Sequence, residues 1–183
     1  PNRVVITGDL IDKLAWLPQV CERLTTFAKQ IPDGVDFILG NHEYHHDVNK
    51  VLDSLKRNTP MNILVNSNIQ IMGGKQPVYI AGVAYDNDRE KEKREAMIDK
   101  ALSGIPDYAF VILLAHHPEF FEESIERKIP LTLSGHTHGG QIVFMGMPLV
   151  PTGTPYTKGR YVEEQSVCYV NNGTGHWFPI RIN

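Results

Sequence analysis

The segment LSGHTHGGQI, residues 133–142, places two imidazoles, His136 and His138, one residue apart between glycines. Neutral imidazole suits first-row cations, and it also moves protons near neutral pH. Seven of the eight histidines fall in three short clusters: His42, His45 and His46; His116 and His117; His136 and His138. Other polar groups stand where an apolar run stops. Asp9 follows RVVITG, Asn41 follows VDFILG, and His116 follows FVILLA. The resulting donor set is one carboxylate (Asp9), one amide oxygen (Asn41) and three imidazoles (His116, His136, His138). Mixed nitrogen and oxygen donors favour Mn, Fe(II), Co or Zn. Calcium asks for oxygens alone, and a closed structural zinc usually draws thiolates. A carboxylate shared between two ions holds them ~3.5–4 Å apart, and Asp9 is the candidate for that role. Any one of these residues by itself would be an ordinary polar residue at a strand end; the coincidence of four such ends carries the reading.

Elements that position these groups follow from the apolar patterning. RVVITG (3–8), VDFILG (35–40), YAFVILLAHH (108–117) and LTLSGHTH (131–138) read as buried strands, apolar and ending in polar residues. In open α/β sheets ligands gather beyond the carboxyl ends of strands. If the last of these runs on as extended chain, His136 and His138 point to the same side, and the glycines after them let the backbone turn away. Residues 16–30 read as a helix with Pro18 in its first turn and Leu17, Val20, Leu24 and Phe27 inward. Residues 47–58 read as a second, capped by Asp47, with Val48, Val51, Leu52 and Leu55 inward. NIQIMG and PVYIAGVAY read as paired strands. NDREKEKREAMIDKALSGI reads as a charged helix capped by Asn87 or Asp88 and stopped by Gly104. QIVFMG, SVCYVNNGTG and HWFPIRIN read as antiparallel strands and turns. His45 and His46 are read as surface residues and His176 as structural; His117 stands between a supporting role and the surface.

The composition narrows the class. The chain has 183 residues, 42% hydrophobic and 21% charged, with a formal net charge of -3. That describes one globular α/β domain over residues 1–183, with no basic face for nucleic acid and no polybasic stretch for an anionic membrane. Cys21 and Cys168 form no C-x-x-C pair and no disulfide framework. The apolar runs are too short to span a bilayer.

The motifs GDLID (8–12), GNHE (40–43), HHP (116–118) and GHTHGG (135–140), in this order over essentially the whole chain, resemble those of the calcineurin-like metallophosphoesterases. The segment GTPYTKGRY and the tail resemble the bacterial branch with membrane-associated phosphodiesterase relatives. The resemblance implies an α/β/β/α sandwich of two mixed sheets flanked by helices, with a binuclear centre at one edge. It implies two divalent transition-metal ions (Mn, Fe, Zn or Co). Asp9 would bridge them, Asn41, His116 and His136 would hold one, and His138 the other. His42 would be the catalytic histidine, and Asp12 would orient a ligand or the loop. The implied activity is hydrolysis of phosphodiesters or phosphomonoesters, diesters preferred, by metal-activated hydroxide attack on phosphorus. The alternative is a catalytically impaired metal-binding or interaction scaffold on the same fold. The implied partner is a phosphoester substrate, with membrane proximity through a segment upstream of Pro1; localisation is left unknown.

One family motif has no counterpart: an Asp-x-His on a first strand, ahead of the GD motif. The expectation is an N-terminally truncated domain lacking that strand, with the second ion weak or absent and an open edge beside residues 4–7.

Overall fold

The computed structural model describes residues 1–84, 90–144, 147–148 and 152–175. Two sheets organise it. The first has three parallel strands in the order β1 (Val4–Ile6), β2 (Val35–Phe37), β3 (Asn62–Ile63). The second begins with β4 (Ser67–Met72), β5 (Val78–Gly82), β6 (Phe110–Leu114) and β7 (Leu131–Ser134). A short separate pair, β8 (Val143–Phe144) with β9 (Met147–Pro148), follows, and then β10 (Gly159–Glu163) and β11 (Ser166–Val170) rejoin the second sheet. Its order is β10-β11-β7-β6-β5-β4, parallel through β11, β7, β6 and β5 and antiparallel at both margins.

Helices α1 (Leu17–Ala28), α2 (Asn41–Tyr44) and α3 (Val48–Asn58) precede the second sheet in the chain, and α4 (Lys91–Leu102) and α5 (Phe120–Glu126) are interleaved with its strands. Three apolar seams stack the layers. Leu24, Val51 and Leu55 of α1 and α3 pack with Val35 and Phe37 on the first sheet. Ile38 and Leu64 meet Ile80 and Leu114 between the sheets. Ile98 and Ala101 of α4 and Phe120 of α5 pack with Ala81 and Leu113 on the far face. Parallel strands covered on both faces favour unbroken apolar runs, and β6 (FVILL) has one. The layering is thus α/β/β/α, two sheets flanked by helices, as the motifs implied.

Buried Asp36 interrupts β2. It is held by a bidentate Arg3 pair, Nε to Oδ2 at 2.6 Å and Nη2 to Oδ1 at 2.8 Å, and by Asn62 Nδ2 at 2.8 Å. A buried carboxylate is tolerable only with such partners.

Local expectations fared unevenly. Asp47 caps α3 by accepting the Lys50 N–H at 3.2 Å, and Gly104 follows the end of α4 with φ +82°. The inward face of α1 is rotated: Leu17, Cys21, Leu24 and Ala28 are buried, whereas Phe27 is 41% exposed. Small Cys21 and Ala28 allow α1 to sit close to α3, and bulky Phe27 is turned out. The C-terminal strands are not all antiparallel, because β11 lies parallel to β7. Asn87, Asp88, His176 and the last strand expected at 176–183 lie outside the described residues. Both cysteines are free and buried. Among the described residues no helix is long and apolar enough to cross a membrane.

Among the described residues β1 has one ladder partner, β2. Val4 donates to the Gly34 carbonyl, and Ile6 accepts from the Ile38 N–H, at 3.2 and 3.1 Å. Parallel pairing alternates along a strand, so Val5 turns its backbone groups to the opposite side. There Val4–Gly8 line a cavity of about 1050 Å³ whose other wall includes Leu133, Tyr169 and Asn171. Among the described residues no strand pairs with β1 on the side that faces this cavity.

Candidate metal centre

Every motif residue lies just beyond the carboxyl end of a strand: Asp9 after β1, Asn41 and His42 at the start of α2 after β2, His116 after β6, His136 and His138 after β7. The GD and GN loops cross at touching distance. A Cβ on Gly8 would stand 2.6 Å from Nδ1 of His116, and one on Gly40 would collide with the Asp9 carboxylate. Only glycine fits at either position.

His116 is oriented from behind. Its Nδ1 lies 2.6 Å from the Thr7 carbonyl oxygen. A carbonyl only accepts, so Nδ1 carries the proton and Nε2 presents a lone pair forward. That Nε2 is 3.0 Å from Asn41 Oδ1, 3.2 Å from His136 Nδ1 and 3.2 Å from Asp9 Oδ2. His136 Nδ1 is 3.0 Å from the same Asn41 oxygen. Two ring nitrogens, an amide oxygen and a carboxylate oxygen, all atoms of metal-ligating type, thus face one another. Donors at right angles around an ion with ~2.1 Å bonds stand ~3.0 Å apart. The spacing of Asn41 Oδ1, His116 Nε2 and His136 Nδ1 is that of donors around one cation, with Asp9 Oδ2 beside His116, and the residue types fit a first-row ion.

Electrostatics agree with a cation-accepting pocket. Burial raises the Asp9 carboxyl, but the His116 hydrogen bond and charge and the His42 N–H outweigh it and hold Asp9 well below the usual carboxylate range. His136 is pushed down to about 3 by burial first, then by the neighbouring His117 and His116 rings. It is neutral near pH 7, the form that ligates.

His116, His117 and His136 also form a cluster whose ring nitrogens lie within 4.8 Å of one another. Orientation separates them. The His116 and His136 rings are nearly perpendicular, at 72°, so their planes meet close by. His117 stacks on His136 at 3.8 Å and 23°. Stacked, nearly parallel rings direct their in-plane lone pairs side by side, an arrangement less suited to sharing one ion than the crossed rings of His116 and His136. His117 packs behind His136, with Nδ1 3.6 Å from Glu119 Oε2.

His138 lines the same cavity as Asp9, His42 and His136, apart from the four-atom cluster. The extended-strand argument for pairing His136 with His138 does not hold. β7 ends at Ser134, and both histidines take left-handed backbone, φ 67° and 52°. Asp9 does the same at φ 58°. Gly139 and Gly140 follow with positive φ, as the turn was expected to need. Left-handed non-glycine residues gather where surrounding structure imposes them, often at functional sites.

His42 also lines the cavity; its Nδ1 is 3.1 Å from Asp12 Oδ1. His45 is exposed, but His46 is half-buried, with Nε2 2.9 Å from the Asp12 carbonyl oxygen, so it is more than a surface residue. Sequence reasoning missed Glu43. It is fully buried and accepts four backbone N–H groups from the GD and GN loops. Burial, aided by the neighbouring Asp9 charge, holds its carboxyl above the usual range, with those N–H donors opposing the rise. Its only sequence signal is that it is an acid immediately after an Asn-His pair.

Proteins of several organisms resemble this chain over nearly its whole length. The chain is 37% identical to an uncharacterized metallophosphoesterase of Campylobacter jejuni, over 98% of this chain and 46% of that protein. It is 31% identical to the uncharacterized metallophosphoesterase YkuE of Bacillus subtilis, over 96% of this chain and 61% of that one. It is 30% identical to a zebrafish (Danio rerio) transmembrane protein with metallophosphoesterase domain, over 100% and 43%. The chain therefore spans about half the length of such relatives. The sequence model of the calcineurin-like phosphoesterases matches residues 1–140, which hold every loop of the cluster, and the chain belongs to that family.

Proposed function

We propose that this domain is the catalytic part of a metal-dependent phosphoester hydrolase, with diesters preferred over monoesters. The observation that carries the reading is the triangle of Asn41 Oδ1, His116 Nε2 and His136 Nδ1 with Asp9 Oδ2 at its side, 3.0–3.2 Å apart. Asn41, His116 and His136 hold one divalent ion, Mn, Fe, Zn or Co. Asp9 reaches toward a second, with His138. Such ions, when bound, supply Lewis acidity toward phosphoryl oxygens and lower the pKa of water. The protein's own part is positional. Thr7 fixes the His116 tautomer, and the strained turns aim Asp9, His136 and His138 into one space. His42 faces the cavity, where it donates a proton to the leaving oxygen or a hydrogen bond to the developing charge. Asp12 holds its ring.

The open edge of β1 favours a qualification. Among the described residues the second ion has only Asp9 and His138, and Val4–Gly8 line a cavity on the side of β1 away from β2. We propose that an extended segment pairs there and brings further donors. If nothing pairs there, the same geometry favours a one-ion binding scaffold with little turnover.

Hydrolysis of a chromogenic bis-ester and mono-ester with Mn²⁺, with and without chelator, tests both. Chelator-sensitive hydrolysis is expected, faster on the bis-ester. Binding of Mn²⁺ with no turnover of either ester leaves the scaffold, and absence of Mn²⁺ binding rejects both readings.

A further inference from the structure

We infer that Glu43 is a positioning residue: it ties the Asp9 loop to the Asn41 loop and so sets where their oxygens stand. The inference rests on the proposed reading of those two residues as metal ligands.

Glu43 lies at the third position of α2, fully buried. Its Oε1 accepts the N–H groups of Leu10 at 2.6 Å and Ile11 at 2.8 Å. Its Oε2 accepts those of Asp9 at 3.0 Å and Gly40 at 2.7 Å. An ionised carboxylate has about four acceptor sites and no donor, and four donors fill them. Three come from the loop after β1 and one from the loop after β2. The tie is returned in the other direction, because Asp9 Oδ1 accepts the His42 N–H at 3.0 Å. Each loop thus gives a carboxylate to the other's backbone.

The bonds have a specific consequence at Asp9. Its left-handed backbone, φ 58°, is unfavourable for a residue with a Cβ and persists only where neighbours impose it. Three consecutive N–H groups converging on one buried carboxylate impose it. Without them the loop relaxes and the Asp9 carboxylate moves away from His116. Glutamine cannot substitute: its amide nitrogen would face N–H donors with a donor of its own. Aspartate keeps the charge but is one methylene shorter.

The test is Mn²⁺ affinity of Glu43→Gln, Glu43→Asp and Asp36→Asn, with folding followed by circular dichroism and thermal melting. Asp36→Asn weakens a buried ion pair on the same sheet, away from the loops, and so reports what general destabilisation does. Removing an outer hydrogen-bond partner of a ligand typically costs ~10–100-fold in metal affinity. Glu43→Gln is expected to fold and to bind Mn²⁺ in that range more weakly than wild type, with Glu43→Asp between. Asp36→Asn is expected to melt lower yet bind Mn²⁺ within about threefold of wild type. Mn²⁺ affinity in folded Glu43→Gln equal to that of Asp36→Asn would overturn the inference while leaving the proposed function intact. A wild-type protein that binds no Mn²⁺ overturns both. Should neither Glu43 variant fold, hydrogen exchange in the wild type decides. The amides of Asp9, Leu10, Ile11 and Gly40 are expected to gain protection together on Mn²⁺ addition, and unchanged exchange at those four rejects the role.

Discussion

The Asp12 carboxylate stands 3.1 Å from Nδ1 of His42, on a loop that His46 also grips through the Asp12 carbonyl. A carboxylate at one ring nitrogen fixes the tautomer and directs the other nitrogen outward. The His42 side chain lines the cavity, so the proposed role of its ring can be tested directly. His42→Ala is expected to lower kcat by about 10²–10⁴-fold, the usual contribution of a general acid or base. Asp12→Asn should cost less, and metal content should stay at the wild-type level in both. Steady-state kinetics with elemental analysis on the same samples checks this; unchanged turnover in His42→Ala would remove the histidine from the mechanism.

The two histidine pairs should separate in their metal dependence. His116 and His136 share one cluster with Asn41, whereas His138 stands apart from it. His116→Ala or His136→Ala is expected to abolish the tighter ion, and His138→Ala largely to spare it. Stoichiometry by elemental analysis after gel filtration is the measurement. Equal loss in all three variants contradicts this division.

The motif chemistry was legible because strand-end polar residues declare themselves against apolar runs. Asp9, Asn41, His116 and His136 were found that way, and the folded loops bring their donor atoms together. Glu43 was not, since its partners are backbone N–H groups, which every residue carries. Nor was the reason that His136 and His138 share a cavity. Alternation along a strand was the expectation, and two left-handed residues in a turn are what the chain uses. The rotated face of α1 escaped because Leu17 and Leu24 fit either stripe. Close packing against α3 decided for Cys21 and Ala28 over Phe27. The layer order, in contrast, was what the family resemblance of the motifs implied.

Acid should unfold the metal-free protein in a defined window. Native His136 is pushed down to about 3, from 6.5 in an unfolded chain, chiefly by burial. Below pH 6.5 the unfolded state takes up a proton that the native ring refuses. The stabilisation is therefore complete above about pH 6.5 and is lost as pH falls toward 3. Asp9, held below its ordinary 3.8, acts in the same direction at lower pH: its contribution is present above that value and lost beneath it. Melting temperature is expected to fall steadily from pH 6.5 to 4, and His136→Gln should flatten that slope. A slope unchanged by the substitution would assign it to other groups.

The open side of β1 should be visible in backbone exchange. Val4 and Ile6 are bonded across to β2, while Val5 faces the cavity. Its amide is expected to exchange faster than those of its two neighbours, by tenfold or more as an order of magnitude, because closed ladder bonds protect and an open edge does not. Native-state exchange read residue by residue by NMR checks this, and equal protection along Val4–Ile6 would mean the edge is covered in solution.

Asp9, His136 and His138 all hold left-handed backbone, at φ 58°, 67° and 52°. Glycine accepts that conformation without a Cβ penalty, a difference of about 1 kcal/mol per residue. His138→Gly is therefore expected to raise the melting temperature of the metal-free protein by a few degrees while removing a cavity-lining ring. Laboratory selection for heat tolerance alone, without a demand for turnover, would drift toward glycine at these positions first. The residues that give the pocket its chemistry are the ones a purely thermal ratchet would discard.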